Sequence, residues 1–253
     1  MNADAAERVA MDDEPECERF ERVDRGDVRY KLGPDALPWS NGVAYARWRP
    51  EEVEERAKEI IGIFRDRGLA FTWQIGPNTD AVGLSSVLAA HGLHKEVDAL
   101  LLTAKIPIRG RLAEHDLRLV EEHDLRTATD AIRIDRDRTA DEIRARLEAR
   151  MRYLQCPSRR GGGVVAYRGD LAVGYGRWRY GTDGDTVFLQ SASTLRPHRR
   201  TGVYTAILGW RLDRAVRAGK TTAVVVAERS SSAPILMRKG FREVGALQIW
   251  MAV

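Results

Sequence analysis

The chain has 253 residues, of which 43% are hydrophobic and 31% are charged, and its formal net charge is +4. These proportions are typical of a globular protein with one large domain or two small ones. The start of the chain lacks the basic and apolar stretches of a secretory signal, and no segment resembles a membrane span, so we expect a cytoplasmic protein without membrane contact. The two cysteines, Cys17 and Cys156, have no partner at ligand spacing, which predicts neither a metal site nor a disulfide framework.

The charge is unevenly distributed along the chain. Residues 1–116 contain 16 basic and 22 acidic side chains, a net of −6, whereas residues 117–253 contain 25 and 15, a net of +10. The second half is therefore the half suited to an anionic ligand. Arginines alternate with aromatic residues at positions 175–181, as in some nucleic-acid-binding proteins. The same pattern fits a half-buried strand with Arg177 and Arg179 on one face, and the sequence favours that strand over nucleic-acid binding.

The sequence of the first half predicts an acidic tail followed by a small packed domain. Residues 1–27 are rich in acidic side chains and almost without aromatics, which is typical of a disordered segment. A helix is predicted over residues 51–67, because Pro50 suits a helix start and Gly68 a helix end. A strand over 70–75 and a second, short helix follow. The apolar residues predicted to be buried on the two helices are Val53, Ala57, Ile60, Ile61, Phe64, Leu84, Val87 and Leu88.

A linker separates this domain from the second half. Residues 105–116 contain a proline, a glycine and several charges, and we place the linker at 109–116. Two helices are predicted after it. Asp124 is an N-cap residue for the first, and Thr139 forms a capping box with the glutamate three residues later at the start of the second.

The most informative segment is LRPHRRTGVYTAILG, residues 195–209. It predicts the end of a strand, a basic turn with Arg199, Arg200 and Gly202, and the start of an amphipathic helix. A helix start presents unpaired N–H groups and the positive end of the helix dipole, and a glycine there lets the backbone approach an anion closely. The turn is therefore a predicted anion site. The apolar positions predicted to be buried on its helix are Leu208, Leu212, Ala215 and Val216.

The order Arg199-x-x-Gly202-x-Tyr204 resembles the Arg/Gln-x-x-Gly-x-Gly/Ala signature with which GNAT superfamily N-acetyltransferases bind the pyrophosphate of acetyl-CoA. Tyr204 departs from the small residue of that signature. The later pair Gly240-Phe241 resembles the end of the last helix of the superfamily. The resemblance implies an α/β (α+β) protein with the GNAT acyl-CoA N-acyltransferase fold, a mixed central sheet flanked by helices, and acetyl-CoA as co-substrate without a metal.

The predicted element order supports the same resemblance. Residues 117–253 predict a strand, two helices, three strands, a helix, a strand, a helix and two strands, which is similar to the whole GNAT fold. We therefore expect a GNAT N-acetyltransferase domain over 117–253, a little more than half of the chain.

The first half is predicted to be a degenerate, partial copy of this domain. Residues 91–104 and 239–253 share a turn followed by apolar runs, with Gly92 aligned to Gly240. Residues 28–108 are therefore predicted as a partial GNAT-like domain. The helix that follows Pro50 takes the place of the cofactor helix, but no glycine precedes it, so we expect only the second half to bind CoA.

The resemblance also implies roles for individual residues. The backbone of Thr194 and Leu195 would pair with the pantetheine arm, and a strand N–H near Ser193 would polarise the thioester carbonyl. The implied reaction is transfer of an acetyl group to a primary amine, that of a small molecule, by direct attack in a ternary complex. The pyrophosphate loop would consist of Arg199, Arg200, Thr201, Gly202, Val203, Tyr204 and Thr205.

The general acid is left open by the sequence. Many GNAT enzymes have a tyrosine four residues before the Gly-Phe pair that protonates the departing thiolate, and Leu236 occupies that place here. Ser232, Tyr204 or solvent could serve instead. A thiol has a pKa of about 8.5, so its anion leaves tolerably without a proton.

The general base is predicted to be Glu228, which directly follows the apolar run 223–227. Gln190 cannot act as a base but is predicted to hydrogen-bond the acceptor. An ordinary polar surface role is the alternative for both. The alternative functions are a catalytically inactive CoA-binding or scaffolding protein and a protein N-acetyltransferase, and the sequence leaves open whether the chain forms a homodimer.

Overall fold

The computed structural model describes residues 1–108, 116–134 and 139–252. The chain divides into two compact units: unit 1 contains residues 1–102, 226–238 and 242–253, and unit 2 contains residues 103–225 and 239–241. Among the described residues, none of the helices combines the length and the apolar character that a membrane span requires.

Eight α-helices and twelve strands lie within these described ranges. The helices are α1 (Ala3–Ala10), α2 (Pro15–Glu18), α3 (Val53–Arg65), α4 (Leu84–Ala90), α5 (Leu125–Arg133), α6 (Ala140–Gln155), α7 (Val203–Arg217) and α8 (Ser232–Arg238). The strands are β1 (Glu21–Asp24), β2 (Val28–Leu32), β3 (Gly42–Ala46), β4 (Phe71–Ile75), β5 (His94–Lys105), β6 (Arg118–Glu121), β7 (Gly161–Arg168), β8 (Leu171–Tyr180), β9 (Thr186–Phe188), β10 (Ala192–Thr194), β11 (Thr222–Glu228) and β12 (Arg242–Ala252).

Unit 1 contains a sheet with the strand order β1-β2-β3-β4-β12-β5. Strands β3 and β4 are parallel, and the pairs β1/β2, β2/β3 and β4/β12 are antiparallel. Helix α3 buries the apolar face that the sequence predicts, and the rings of Phe64 and Phe71 stack at a centroid distance of 4.2 Å. The predicted helix and strand of this region are thus confirmed, with bounds shifted by a few residues.

Strand β12 at the end of the chain completes the sheet of unit 1. It pairs with β4 over five residues, from Gln248 opposite Ile75 to Ala252 opposite Phe71. The predicted pair of terminal strands is a single strand, and its partner belongs to the first half of the sequence. The unit boundaries therefore differ from the predicted consecutive domains, because an apolar pattern identifies a strand but not the strand beside it.

The predicted disordered tail is instead partly helical. Helix α1 is capped by Asn2, whose side chain accepts a hydrogen bond from the Ala5 N–H. Glu7 on this helix is fully buried and accepts bonds from Gln74 Nε2 at 2.9 Å and from the N–H and Nδ2 of Asn78 at 2.5 and 2.7 Å. The acidic composition suggested disorder, but these donors offset the cost of burying one carboxylate.

Unit 2 contains a sheet with the strand order β11-β9-β8-β7-β6, and β10 also pairs with β8. Strands β9 and β11 are parallel, and the remaining pairs are antiparallel. Helix α7 lies on one face of β8, where a Cβ added at Gly174 or Gly176 would approach Val203 or Ile207 within 2.6 Å. Leu195 is buried in an apolar cluster that includes residues of α5 on the other face.

Several local predictions for unit 2 are confirmed, and two are wrong. Asp124 accepts the Thr127 N–H at 2.8 Å as the cap of α5, and the predicted capping box starts α6. Val216 on α7 is 36% exposed rather than buried. The linker predicted at 109–116 lies, except for its last residue, outside the described residues.

The prediction of no disulfide is wrong. Neither Cys17 nor Cys156 is a free thiol. The state of a cysteine depends on which groups the fold brings to it, and spacing along the sequence does not reveal them.

Candidate functional site

The strand that precedes α7 is interrupted. Between β9 and β10, the carbonyls of Gln190 and Ser191 both face the N–H of Arg177 on β8, at 3.4 and 3.0 Å. Two residues opposite one is the geometry of a β-bulge, a feature that is common next to active sites. The strand that the sequence predicts before the basic turn is therefore split into β9 and β10.

Strand β10 has one open edge. The Leu189 N–H still donates to the Val224 carbonyl of β11 at 2.8 Å, but β10 itself pairs only with β8 in the described part of the chain. Beyond the bulge, the edge of β10 that faces away from β8 therefore has no strand partner among the described residues.

The register of β10 decides which amides face that open edge. Leu195 donates its N–H to the Val173 carbonyl at 2.9 Å, and Ser193 lies directly opposite Tyr175. Because the direction of N–H groups alternates along a strand, the Ser193 amide faces β8, whereas the amides of Ala192 and Thr194 face the open edge. Leu195, predicted to pair with the pantetheine arm, has its amide already bonded.

Arg211 on α7 stabilises the bulge through hydrogen bonds to its backbone carbonyls. Its Nη1 donates to the carbonyls of Arg177 and Gln190, each at 3.0 Å, and its side chain is 1% exposed. Burial lowers the pKa of this guanidinium, and the phenols of Tyr204 and Tyr175 partly oppose that shift. No acidic residue in the described part of the chain forms an ion pair with it, so its charge is stabilised by backbone carbonyls.

Arg211 was not among the predicted site residues. It occurs at four-residue spacing between two buried positions of α7, Ile207 and Ala215. A charged residue inside a predicted apolar face was the available signal, since such a group must find partners inside the fold.

The predicted pyrophosphate loop forms the start of α7. Gly202 is the N-cap residue in a left-handed conformation with φ +84°, and Arg200 before it has φ +63°. The first helical bond joins the Ala206 N–H to the Gly202 carbonyl, and the amides of residues 203–205 have no acceptor among the described residues. Arg199 donates Nε to the Thr194 carbonyl at 3.2 Å, which ties the loop to β10.

Other residues of the loop stabilise its shape. Thr201 donates its hydroxyl to the His198 carbonyl at 2.8 Å and accepts a bond from Arg168 at 3.4 Å. Val203 is buried against β8, and Thr205 is half-buried. The loop thus presents free amides and exposed arginines without a nearby carboxylate in the first turn of α7.

Tyr204 lies in the first turn of α7 and is partly buried. Burial raises the pKa of its phenol, while Arg211 acts in the opposite direction. The phenol is protonated at neutral pH, and the raised pKa makes it a weaker acid than a solvated tyrosine.

The remaining predicted residues belong to unit 1. Glu228 is exposed at the end of β11, and its carboxylate accepts the hydroxyls of Ser230 at 3.3 Å and Ser231 at 2.6 Å. Ser232 begins α8 and is half-buried, and Leu236 is completely buried.

Unit 2 brings Gln190, Ser193, Thr194 and the loop residues together. Among the described residues, no cluster of His, Cys, Asp or Glu could hold a metal ion.

Comparisons with known proteins define the fold. Protein-family models give no match to this chain, and no curated protein matches its sequence. Among solved structures, it is similar to a GCN5-related N-acetyltransferase from Kribbella flavida, with 18% identity, 97% of this chain and 95% of that chain covered, and a TM-score of 0.66. A second similar structure, a GCN5-related N-acetyltransferase from Sphaerobacter thermophilus, has 16% identity, coverages of 99% and 90%, and a TM-score of 0.59.

A third similar structure is itself a tandem protein. It is described as a tandem GNAT protein from the clavulanic acid biosynthesis pathway, with 14% identity, 89% of this chain and 78% of that chain covered, and a TM-score of 0.62. The chain therefore has the GNAT fold, as the sequence resemblance implies.

Proposed function

We propose that this protein is an acetyl-CoA-dependent N-acetyltransferase that acetylates the primary amine of a small molecule by direct attack in a ternary complex. The observation that carries the proposal is the start of α7, where the amides of residues 203–205 lack acceptors beside a left-handed Gly202. Such a helix start suits a phosphate group, because its amides and dipole attract negative charge. The GNAT fold adds to this support.

The loop would hold the pyrophosphate of acetyl-CoA. Arg199 and Arg200 are exposed and supply positive charge, and the side chain of Thr201 completes the turn. The open edge of β10 would pair with the pantetheine arm through the amide of Thr194. Bound acetyl-CoA supplies the thioester that the amine attacks.

The chain's own residues would assist the transfer in four ways. The amide of Ala192 faces the open edge of β10, where it could stabilise negative charge on the thioester oxygen. Glu228 would accept the amine proton, and Gln190 would hydrogen-bond the acceptor. Tyr204 is favoured over Ser232 as the acid because a phenol is a stronger acid than an alcohol and because Tyr204 belongs to the same unit as the loop.

The alternative is a protein that binds CoA without catalysis. The observation that favours it is Leu236, which is fully buried where many GNAT enzymes have a tyrosine. Release of free thiol from acetyl-CoA in the presence of mixed primary amines separates the two. Catalysis with Tyr204→Phe reduced and Ser232→Ala unchanged would support Tyr204 as the acid.

The binding site is tested by thermal unfolding with and without acetyl-CoA. A ligand at about a hundredfold excess over its Kd stabilises the folded protein by about 2.7 kcal/mol, so the Tm should rise clearly. Gly202→Glu should abolish the rise, because it places a negative charge at the phosphate position. Gly83→Glu is the matched control: Gly83 also precedes a helix with φ +86°, and it carries a similar backbone strain in the first half.

The control should lower the Tm of the free protein as Gly202→Glu does, yet retain the response to acetyl-CoA. Equal responses to acetyl-CoA in both variants would contradict the assignment of the pyrophosphate loop.

A further inference from the structure

The guanidinium of Arg177 lies on the face of β8 opposite α7, and its Nε has no hydrogen-bond partner among the described residues. Gly174 and Gly176 of β8 face α7, so Arg177 projects from the other face, as the alternation of the strand predicts. Its Nε lies 4.0 Å from Oε2 of Glu122, which is an ion-pair distance but too long for a hydrogen bond.

The Glu122 carboxylate is already bound by Arg150. Arg150 donates Nε to Oε1 at 2.8 Å and Nη2 to Oε2 at 2.7 Å, a bidentate pair whose two side chains are both buried. A Cβ at Gly163 would collide with this carboxylate, so the backbone of β7 comes very close to it. The pair is therefore complete without Arg177.

The cluster consequently has one positive charge more than its carboxylate can neutralise. The Nε of Arg177 is buried and makes no hydrogen bond within the described part of the chain. Burial, followed by the neighbouring Arg150, lowers the pKa of Arg177, which indicates that its charged form is poorly compensated. Yet 24% of its side chain remains exposed, so a ligand can reach it.

The same residue adjoins the interrupted strand. The backbone N–H of Arg177 binds both carbonyls of the bulge, and its own carbonyl is held by Arg211. Acetyl-CoA bound at the start of α7 would lie on the α7 side of the sheet. The opposite face of the bulge would then be left for the amine that accepts the acetyl group. Arg177 is thus anchored next to the proposed reaction site and projects into that face.

We propose that Arg177 binds an anionic group, a carboxylate or a phosphate, on the amine acceptor. The inference rests on the proposed acetyltransferase function and narrows its substrate to amines that also carry a negative charge. A guanidinium suits both anions, because its planar N–H groups form paired, charge-assisted hydrogen bonds with two oxygens. The bound anion would supply the missing counter-charge of the cluster.

The first test compares amines that differ only by the anion. Lysine with 1,5-diaminopentane and phenylalanine with phenethylamine form the carboxylate arm, and phosphoethanolamine with ethanolamine forms the phosphate arm. The native protein should prefer the anionic member of one arm by at least about tenfold in kcat/KM, mainly through KM. Arg177→Met should lose this preference, and Arg144→Met, which removes an exposed arginine of α6, should retain it.

The second test needs no turnover. With CoA saturating the phosphate loop, inorganic phosphate or acetate should raise the Tm of the native and Arg144→Met proteins but not that of Arg177→Met. Because Glu122 keeps Arg150, Arg177→Met should itself fold. Should it not, Arg177→Gln replaces it. A native Tm that responds to neither anion, or a preference for anionic amines that survives in the Arg177 variant, would overturn the proposal.

The two proposals fail in different ways. If acetyl-CoA raises the Tm but no amine is acetylated, while the anion response still depends on Arg177, then the anion site stands and the catalytic proposal fails. If amines are acetylated without any preference for anionic members, the catalytic proposal stands and the role of Arg177 fails.

Discussion

Helices α3 and α7, one in each half of the chain, begin in opposite ways. Helix α7 starts with a left-handed glycine, free amides and no acidic residue in its first turn. Helix α3 follows Pro50, which has no N–H, and Glu52 accepts both the N–H of Arg49 at 3.1 Å and its guanidinium at 2.9 Å. The first start can receive an anion, whereas the second is closed by the protein's own carboxylate. The start of α7 therefore leaves room for the proposed anion, whereas the start of α3 is occupied by a side chain.

The turn after β4 in unit 1 and the edge of β10 in unit 2 also differ in whether a side chain occupies them. In unit 1, the turn after β4 is occupied by Glu7 of α1, and a Cβ at Gly76 would collide with that carboxylate. In unit 2, β10 keeps an open edge beside its bulge. In the first half, the N-terminal helix occupies the space at the strand end, so we expect this half to support the fold without taking part in the chemistry.

The largest expected effect follows from removing the supporting half. A fragment of residues 112–253 lacks β4 and β5, the two neighbours of β12, so an apolar strand loses both of its partners. Such exposed edges favour aggregation. We expect the fragment to be poorly soluble, or to fold without selectivity for the acceptor, as measured by solubility, circular dichroism and thiol release.

A matched comparison uses residues 28–253, which keep every strand from β2 onward but lack α1, α2 and β1. This longer fragment should remain more soluble than 112–253. A well-folded 112–253 fragment that acetylates the same amine equally well would show that the first half is merely an appended domain.

The second prediction concerns the proposed general base, Glu228. Glu228→Gln keeps the shape of the side chain and removes its basicity, so kcat/KM should fall by about 10²-fold near neutral pH. The loss should shrink at high pH, because an amine that is already neutral has no proton to give up. The measurement is a pH–rate profile on one acceptor, with the exposed Glu243→Gln of β12 as the control.

If the profiles of native and Glu228→Gln protein run parallel, Glu228 is not the base. A water molecule held near Gln190 would then be the candidate base.

The sequence predicted those parts of the fold that depend on local pattern. The buried face of α3, the caps at Asp124 and Thr139 and the turn at Gly202 follow from spacing and backbone chemistry within about ten residues. The family resemblance supplied the overall fold. These features were predictable because the residues that determine them are close in sequence.

The parts that were not predicted depend on contacts between distant segments. The pairing of β12 with β4 and the burial of Glu7 against Asn78 join residues more than seventy positions apart. Arg211 and Arg177 acquire their roles only when β8, the bulge and α7 meet. A single sequence shows which segments are strands, but not which side chains then share a buried space.

The third prediction tests whether α1 supports unit 1. Glu7→Leu removes the acceptor of the Asn78 N–H and of two side-chain amides in a buried position, so the free energy of unfolding should fall by about 2 kcal/mol in urea. The exposed Arg8→Leu serves as control for the added apolar group. The response to acetyl-CoA should survive in both variants, and its loss in Glu7→Leu would contradict a purely supporting role for α1.

The smallest expected effect concerns the closed start of α3. The guanidinium of Arg49, together with its N–H, lowers the pKa of Glu52 from 4.5 to about 2. A lowered pKa means that this carboxylate stabilises the folded state above about pH 4.5 and that the contribution disappears as the pH falls toward 2. The contribution is small, because both side chains are in contact with solvent. Glu52→Gln should therefore lower the Tm slightly near neutral pH and progressively less below about pH 4.5, with acetyl-CoA binding unchanged. A Tm difference that stays constant over this range would mean that the Glu52 charge does not stabilise the helix start, and the contrast between α3 and α7 would then rest on Pro50 and Gly202 alone.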